Sequence, residues 1–252
     1  MTQTIIQLID LHKSFDHQEV LRGVSLDIPK GMTTAIIGRS GGGKSVLLKH
    51  IVGLIQPDRG RILIDEKNMT ALGETERDAL KSRFGMLFQG AALFDSLTVF
   101  DNIAFPLREK TALSELEIQE KVRRLLKELG LNGMESKYPA EISGGMKKRV
   151  GLARALITEP EIMFYDEPTT GLDPIMETTI HELITACHER FHSTDILVSH
   201  NMKEVYTIAH HVAMLHEGLI IEQGTPEEIR NSKNPIVQQF ISGRTTGPIQ
   251  LD

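Results

Sequence analysis

Apolar segments separated by turn residues recur through the first part of the chain and predict β-strands. Apolar and polar residues alternate in segments 5–15 and 20–28, which predicts two strands of a sheet with one buried face. The apolar run 33–37 predicts a buried central strand, and residues 61–65 predict another strand after the turn at 57–60. This part of the chain is therefore predicted to be rich in β-structure.

The apolar pattern becomes helical after Gln89 and remains so to about Ala155. Ser114 and Glu117 have the spacing of a capping box at the start of a helix. The apolar residues that then recur at helical spacing are Val122, Leu125, Leu126 and Leu129. We expect a helical subdomain here, inserted into an α/β core. The composition of residues 242–252 predicts an extended tail.

Two later apolar runs end in polar residues of functional interest. Residues 162–165 are followed by Asp166 and Glu167, and residues 195–199 are followed by His200. In open α/β folds, ligands bind outside the carboxyl ends of the strands. These three side chains are therefore candidates for a site at one edge of a sheet.

The composition is that of an ordinary globular protein: of 252 residues, 40% are hydrophobic and 25% are charged. The net charge of −6 argues against nucleic-acid binding, which usually requires a basic excess. The single cysteine, Cys187, excludes an intramolecular disulfide and is interpreted as a buried apolar residue. We expect no signal peptide, because the N-terminus lacks a basic region followed by an apolar core. We expect no transmembrane segment, because no apolar run approaches ~20 residues.

Residues 38–45 match the phosphate-binding pattern G-x-x-x-x-G-K-[ST] without substitution. A predicted strand precedes the motif and a predicted helix follows it, which is the required context. Glycines let backbone N–H groups surround phosphate oxygens, and the helix directs its positive end at the same anion. Lys44 can reach the β- and γ-phosphates, and the Ser45 hydroxyl can ligate Mg²⁺. A nucleotide site is favoured over a glycine turn that binds nothing.

The acidic pair and two other residues extend this predicted site. Mg²⁺ prefers oxygen ligands, so Asp166 is expected to hold it directly or through water. Glu167 is expected to orient or deprotonate an attacking water. His200 is expected to contact the γ-phosphate, although a lone histidine after a strand is more often structural. Phe15 has a ring that can stack on a purine base; the alternative is a core position.

Short motifs, in their order along the chain, resemble those of the ATP-binding cassette (ABC) ATPases, and the resemblance covers essentially the whole chain. Residues 38–45 resemble the Walker A loop, Gln89 resembles the Q-loop glutamine, and residues 162–167 resemble Walker B with its catalytic glutamate. Residues 171–173 resemble the D-loop, and His200 resembles the switch histidine.

The remaining motifs depart from their common form. Residues 142–146 resemble the signature Leu-Ser-Gly-Gly-Gln, with Ile142 and Met146 in place of leucine and glutamine. Met146 removes a side-chain amide near the ribose and phosphates but leaves the backbone contacts intact. The basic residues 147–149 that follow are interpreted as a solvated face. Phe15 resembles the aromatic A-loop residue and keeps its stacking face.

The resemblance implies a P-loop α/β fold: a RecA-like mixed sheet with an antiparallel β subdomain and an inserted helical subdomain at about residues 90–158. Residues 1–240 are expected to form one nucleotide-binding domain, and residues 241–252 a C-terminal tail.

The resemblance also implies ATP and Mg²⁺ as cofactors. The implied catalytic residues are Glu167, His200, Gln89 and Lys44. The implied ATP contacts are Phe15, Gly38, Arg39, Ser40, Gly41, Gly42, Gly43, Lys44, Ser45, Val46 and Gln89, and, from a second chain, Ser143, Gly144, Gly145 and Asp173. The implied Mg²⁺ ligands are Ser45, Gln89 and Asp166.

In this family two nucleotide-binding domains sandwich ATP head to tail, so a homodimer is implied. The sequence has one phosphate loop and one Ser-Gly-Gly helix start, which supplies half of each composite site. Phosphoryl transfer depends mainly on positioning and electrostatic stabilisation, and closure of the dimer would supply both.

Residues 90–109 look like the corresponding segment of the ATPases of Mla/Mce-type lipid transport systems. This resemblance implies phospholipid transport between bacterial membranes, with permease subunits docking near residues 89–109 at the cytoplasmic face of the inner membrane. It further implies a small STAS-domain subunit and an Mce-domain substrate-binding protein as partners. The alternative is that the apolar residues here are ordinary core.

Two other functions share these motifs. One is the energy subunit of an importer for small polar solutes such as amino acids. The other is a non-transport ABC ATPase acting on DNA or ribosomes. That last class usually has tandem cassettes or long coiled-coil insertions, and neither is present in these 252 residues. The net charge of −6 also counts against it.

Overall fold

The computed structural model describes residues 3–250. The strands are β1 (Thr4–Phe15), β2 (Gln18–Pro29), β3 (Thr33–Ile37), β4 (Arg59–Ile64), β5 (Lys67–Asn68), β6 (Phe84–Leu87), β7 (Ile162–Asp166), β8 (Thr194–Ser199), β9 (His211–His216) and β10 (Leu219–Gly224). The helices are α1 (Lys44–Val52), α2 (Glu74–Lys81), α3 (Val99–Lys110), α4 (Glu115–Glu128), α5 (Gly144–Leu156), α6 (Pro174–Phe191), α7 (Met202–Ile208), α8 (Pro226–Arg230) and α9 (Pro235–Ser242). A 3₁₀ turn occupies Pro139–Glu141.

The chain forms two compact units. Of the described residues, the first unit contains 3–81 and 194–250, and the second contains 82–193. Within residues 3–250, none of the helices combines the length and apolar character needed to cross a bilayer. Cys187 is 8% exposed, which confirms that it is a buried residue.

The first unit has an antiparallel sheet with the strand order β2-β1-β4-β5. The apolar positions of the alternating pattern are buried, as predicted. Ile6 and Leu8 of β1 and Leu26 and Ile28 of β2 are all at most 2% exposed. The paired strands thereby bury one continuous apolar face, as the sequence pattern predicts.

A second set of strands in the first unit has the order β10-β9-β3-β8. Strand β3 is parallel to both β8 and β9, and all five of its residues are buried. Strands buried on both faces read as continuous apolar runs, which is why the sequence identified β3. The segment that follows β3 leads directly into α1.

Helix α2 is absent from the sequence-based expectations. It contains a single buried residue, Leu80, and charged side chains cover most of its surface. A helix with so little apolar surface gives no helical period to detect.

In the second unit, β6 and β7 form a parallel pair, and α3–α6 belong to the same unit. The capping box predicted for α4 is confirmed: Ser114 accepts from the Glu117 N–H, and the Glu117 carboxylate accepts from the Ser114 N–H at 2.7 Å. Arg108 donates to Glu115 at 2.9 and 3.0 Å and to Asp101 at 2.9 Å, which ties α3 to the start of α4. Hydrogen bonds from Thr98 and Arg108 hold the pKa of Asp101 below its ordinary value.

The expectation of an extended tail is wrong for the described part, residues 243–250, which forms a series of turns and bends. Gln239 of α9 is 5% exposed, and its amide accepts from Ile249 N at 2.7 Å and donates to Ile249 O at 3.0 Å. Ile249 is itself 6% exposed. The buried side-chain amide of Gln239 thus binds backbone groups of the tail that a neighbouring strand would otherwise bind. These two hydrogen bonds hold the tail against α9. Residues 251 and 252 of the predicted tail lie outside the described range.

His50 in α1 gives a testable dependence of stability on pH. It is 1% exposed, and its Nδ1 lies 2.7 Å from Val46 O. Burial lowers the pKa of His50 below 6.5. The unfolded chain therefore takes up a proton first, and the folded state loses stability as the pH falls below about 6.5.

We expect the free energy of unfolding of the wild-type chain to fall more steeply between about pH 7.5 and pH 5.5 than that of His50→Leu, which cannot titrate. Urea denaturation of both proteins at each pH measures the difference. Equal losses in the two proteins would show that His50 does not contribute.

Candidate active site

The phosphate-loop segment belongs to the first unit and leaves the sheet at the carboxyl end of β3. Gly38 has φ 151°, and a Cβ at this position would lie 2.2 Å from the carbonyl oxygen of Leu215, so only glycine fits. Helix α1 then starts at Lys44, after Gly43 with φ 95°. The helix directs its positive end and its first N–H groups toward the loop.

Lys44 is 4% exposed, and its ammonium donates to Gly38 O at 2.8 Å and to Arg39 O at 2.9 Å. The ammonium group of Lys44 is thus held against the backbone of the phosphate loop. A Cβ at Gly41 would meet nothing within 4 Å, so the loop backbone faces open space at this position. The loop therefore fits an anion such as a polyphosphate: it has a fixed cation, a helix N-terminus and open space.

Arg39 is the residue of this loop whose side chain points elsewhere. Its guanidinium donates to the carbonyl oxygen of Gln250 at 2.9 Å. The loop is therefore joined to the folded C-terminal segment, and a contact of Arg39 with ATP stays a prediction.

Phe15 ends β1 in the same unit and is 42% exposed. Lys13 Nζ lies 5.4 Å from the centroid of its ring. Phe15 is therefore not a core residue, and its ring is accessible to a stacking partner; a contact with adenine stays a prediction.

His200 follows β8, and the strand register brings it to the edge where the phosphate loop begins. Strands β3 and β8 are parallel, and Ile37 pairs with Ser199. The next residues along the two strands, Gly38 and His200, therefore leave the same edge of the sheet. The structure thus brings together two predicted site residues that are far apart in sequence.

In the second unit, the parallel strands β6 and β7 also bring two predicted site residues to one edge. Leu87 pairs with Tyr165, so Gln89 and Asp166 emerge at a common edge. Asp166 is 8% exposed. The Gln89 amide donates to Glu167 Oε2 at 3.1 Å, and the Thr170 hydroxyl donates to the same oxygen at 3.1 Å. The carboxylate of Glu167 is thereby held by two donors that share one of its oxygens.

The residues expected to contact ATP bound to a second chain lie at two helix N-termini of the second unit. Ser143 caps α5 by accepting from Met146 N at 3.3 Å, and Asp173 caps α6 by accepting from Met176 N at 3.1 Å. Ser143 and Gly144 are exposed. A Cβ at Gly145 would lie 2.3 Å from Met176 Cε, so glycine allows the two helices to approach.

The interpretation of residues 147–149 as a solvated face is wrong for Lys148, which is 6% exposed. Its ammonium donates to the carbonyl oxygen of Gln89 through a short hydrogen bond and to that of Glu167 at 3.4 Å. Helical spacing was the available signal, since Lys148 lies three residues after buried Gly145 and three before buried Gly151.

A strand–glycine loop–helix unit with a buried lysine, together with an acidic strand end, defines a P-loop nucleotide-hydrolysing protein. Residues 21–170 match the family model for the ABC transporter, and the chain belongs to this family. It is an ATP-binding protein and an ATPase, and the predicted fold class is confirmed.

Relatives match almost the whole chain. The chain is 42% identical to a probable ribonucleotide transport ATP-binding protein of Mycobacterium leprae, over 98% of this chain and 71% of the relative. It is 38% identical to the intermembrane phospholipid transport system ATP-binding protein MlaF of Escherichia coli strain K12, over 99% of this chain and 94% of that protein. A dimeric ATP-binding cassette bound to ADP and Pi has a TM-score of 0.81 and 27% identity, covering 88% of this chain and 99% of that one.

Proposed function

We propose that the chain is the ATPase subunit of an ABC transporter that moves phospholipid between bacterial membranes. The observation that supports this proposal is the similarity to MlaF, which extends over 94% of that relative and includes the segment expected to dock a permease. The mycobacterial relative named for ribonucleotide transport favours a polar cargo instead. Identification of the transported molecule therefore decides between transport of phospholipid and transport of a polar solute.

The proposed chemistry assigns separate roles to the residues of the two units. Lys44 and the N-terminus of α1 stabilise the negative charge that develops on the transferred phosphoryl group. Glu167, held by Gln89 and Thr170, orients the attacking water and accepts its proton. His200 contacts the γ-phosphate from the sheet edge. Mg²⁺, when bound, neutralises phosphate charge.

The buried carboxylate and the two polar side chains proposed for the metal suit a hard cation. Ser45, Gln89 and Asp166 would hold it, because each offers an oxygen ligand or binds a coordinated water. The adenine would stack on Phe15, and the backbone of residues 38–46 would surround the phosphates.

The proposal includes a homodimer with two ATP molecules in its interface. Ser143, Gly144, Gly145 and Asp173 of one copy would complete the site formed by the phosphate loop of the other. The exposed N-terminus of α5 offers N–H groups and a positive helix end to the γ-phosphate. Hydrolysis separates the γ-phosphate from ADP, and release of the inorganic phosphate would remove the bridging charge, so the dimer would open after each turnover.

A groove in the second unit supports docking of a permease near residues 89–109. It has a volume of about 350 Å³, and its lining includes Phe84, Phe88, Phe94, Phe105 and Arg154. Phe94 and Phe105 are 44% and 38% exposed, and their ring centroids lie 5.0 Å apart. Exposed aromatic residues in a concave surface are typical of protein interfaces.

Arg154 fixes the backbone at one side of the groove. Arg154 donates to the carbonyl oxygens of Ala91 and Ala92, both at 2.7 Å, and lies over the ring of Phe94. Both alanines have positive φ, an uncommon conformation that requires such support. The groove is therefore pre-formed, which lowers the entropic cost of binding an amphipathic helix of a permease. A STAS-domain subunit and an Mce-domain protein belong to the same proposed complex, at the cytoplasmic face of the inner membrane.

Purification of the native complex tests the proposal. We expect the tagged chain to retain a permease with bound phospholipid, and we expect Phe94→Ala/Phe105→Ala to lose the permease while it keeps basal ATP hydrolysis. Leu116→Ala is the control, since Leu116 is 73% exposed on α4 and does not line the groove. Mass spectrometry of the extracted lipids gives the result. Recovery of a binding protein for polar solutes, without phospholipid, would refute the lipid cargo.

A further inference from the structure

Lys148 is a buried cation between two segments of the proposed active site. Its side chain is 6% exposed, whereas Lys147 and Arg149 beside it are half-buried. Its ammonium donates to the carbonyl oxygens of Gln89 and Glu167. A buried charge is costly unless hydrogen bonds satisfy it, so these carbonyl oxygens fix the position of the ammonium.

The two carbonyl oxygens belong to residues whose side chains also meet. Gln89 Nε2 donates to Glu167 Oε2 at 3.1 Å, while Lys148 joins the backbones of the same two residues. The pair is therefore connected twice, once through its side chains and once through the ammonium. Loss of the ammonium would remove its link between the two backbones, while the exposed bond between the Gln89 amide and the Glu167 carboxylate remains.

Glu167 requires this support because of its backbone conformation. Its φ is 45°, in the left-handed region that non-glycine residues seldom adopt. Such a conformation persists only when the surrounding structure holds it. The Glu167 carbonyl accepts from Thr170 N at 3.3 Å and from Lys148 at 3.4 Å, so Lys148 is part of that support.

Lys148 is also attached to the opposite half of the proposed composite site. It lies on α5, whose N-terminal residues Ser143 and Gly144 are proposed to contact ATP held by the other copy. A helix rises about 1.5 Å per residue, so Gly144 and Lys148 are about 6 Å, or one turn, apart on a rigid element. A displacement of α5 therefore moves the ammonium with it.

We propose that Lys148 is a positioning residue that couples closure around one ATP to the alignment of Gln89 and Glu167 at the other. The inference rests on the proposed roles of Gln89 and Glu167 in hydrolysis. Lys148 acts through these residues and does not itself contact the reacting atoms. A displacement of about 1 Å in such groups can reduce a rate about 100-fold.

The expected signature is a loss of turnover without a loss of ATP affinity. For Lys148→Met we expect kcat to fall about 10- to 100-fold, with the Kd for ATP within about twofold of wild type, because the phosphate loop is unchanged. Lys148→Arg retains donors for both carbonyl oxygens and is expected to restore most of kcat. Lys147→Met is the matched control on the same helix and is expected to retain wild-type kcat. Phosphate release and displacement of a fluorescent ATP analogue give the two constants.

A double-mutant cycle with Gln89→Ala tests whether the residues act as one unit. We expect the double variant Gln89→Ala/Lys148→Met to be no slower than the slower single variant, and fully additive losses would overturn the inference. If Lys148→Met does not fold, Lys148→Gln is measured with the same expected separation of kcat from Kd. Wild-type kcat in either folded variant overturns the inference.

Glu167→Gln distinguishes failure of this inference from failure of the proposed function. Inactive Glu167→Gln with normal Lys148→Met refutes only the coupling role of Lys148. Active Glu167→Gln refutes the proposed role of Glu167 and, with it, the basis of the coupling.

Discussion

Glu167→Gln is expected to reduce ATP turnover by about 100- to 10,000-fold, the usual contribution of a general base, while ATP binding is retained. Glutamine preserves the size of the side chain and its hydrogen bond from Thr170, but its amide accepts no proton from water. Because ATP then stays intact between the two copies, a closed dimer is expected to accumulate. Phosphate release measures turnover, and size-exclusion chromatography with ATP measures the dimer.

Glu161→Gln is the matched control for this variant. Glu161 lies just before β7, with its side chain 58% exposed in an ion pair with Arg83, and an exposed pair contributes little to stability. We expect it to hydrolyse ATP at the wild-type rate. Near-wild-type phosphate release by Glu167→Gln would instead remove Glu167 from the catalytic role.

Two inactive variants are expected to restore activity when mixed, because each proposed composite site would take Lys44 from one copy and Ser143 from the other. Lys44→Ala removes the cation of the phosphate loop. Ser143→Asp keeps the cap of α5 but places a carboxylate beside the γ-phosphate, where like charges cost several kcal/mol. Each mixed dimer has one intact site, so random exchange gives about a quarter of wild-type activity if sites act independently.

Ser143→Asn controls for the cap, because asparagine caps the helix without adding charge. It is expected to lose far less activity than Ser143→Asp. ATP hydrolysis is measured for each variant alone and for an equimolar mixture after exchange. A mixture no more active than its components, despite proven exchange of copies, would contradict the head-to-tail arrangement.

Much of the candidate site was predictable because its signals are local. The phosphate loop is a contiguous segment whose glycines, lysine and flanking strand–helix context are all visible in eight residues and their neighbours. The capping box of α4 and the buried run of β3 are equally local, and the structure has both. Short-range rules of backbone geometry and burial set these features.

Other parts depended on contacts between distant segments. The register of β3 with β8 places His200 at the edge where the phosphate loop starts, and the pairing of β6 with β7 does the same for Gln89 and Asp166. Helix α2 lacked an apolar period, and the folding of the tail onto Gln239 depended on one buried amide. None of these follows from neighbouring residues alone.

The sequence by itself determined the class of protein, the chemistry of its phosphate loop and the identity of its acidic pair, since each is encoded in a short contiguous motif. Only the tertiary structure decided that Lys148 is buried between Gln89 and Glu167, and that Arg154 supports the groove lined by Phe94 and Phe105. From the sequence alone, a basic side chain on a helix is predicted to be solvated, because the elements that cover it are not known. Its burial is a property of non-local packing, which a linear pattern does not contain.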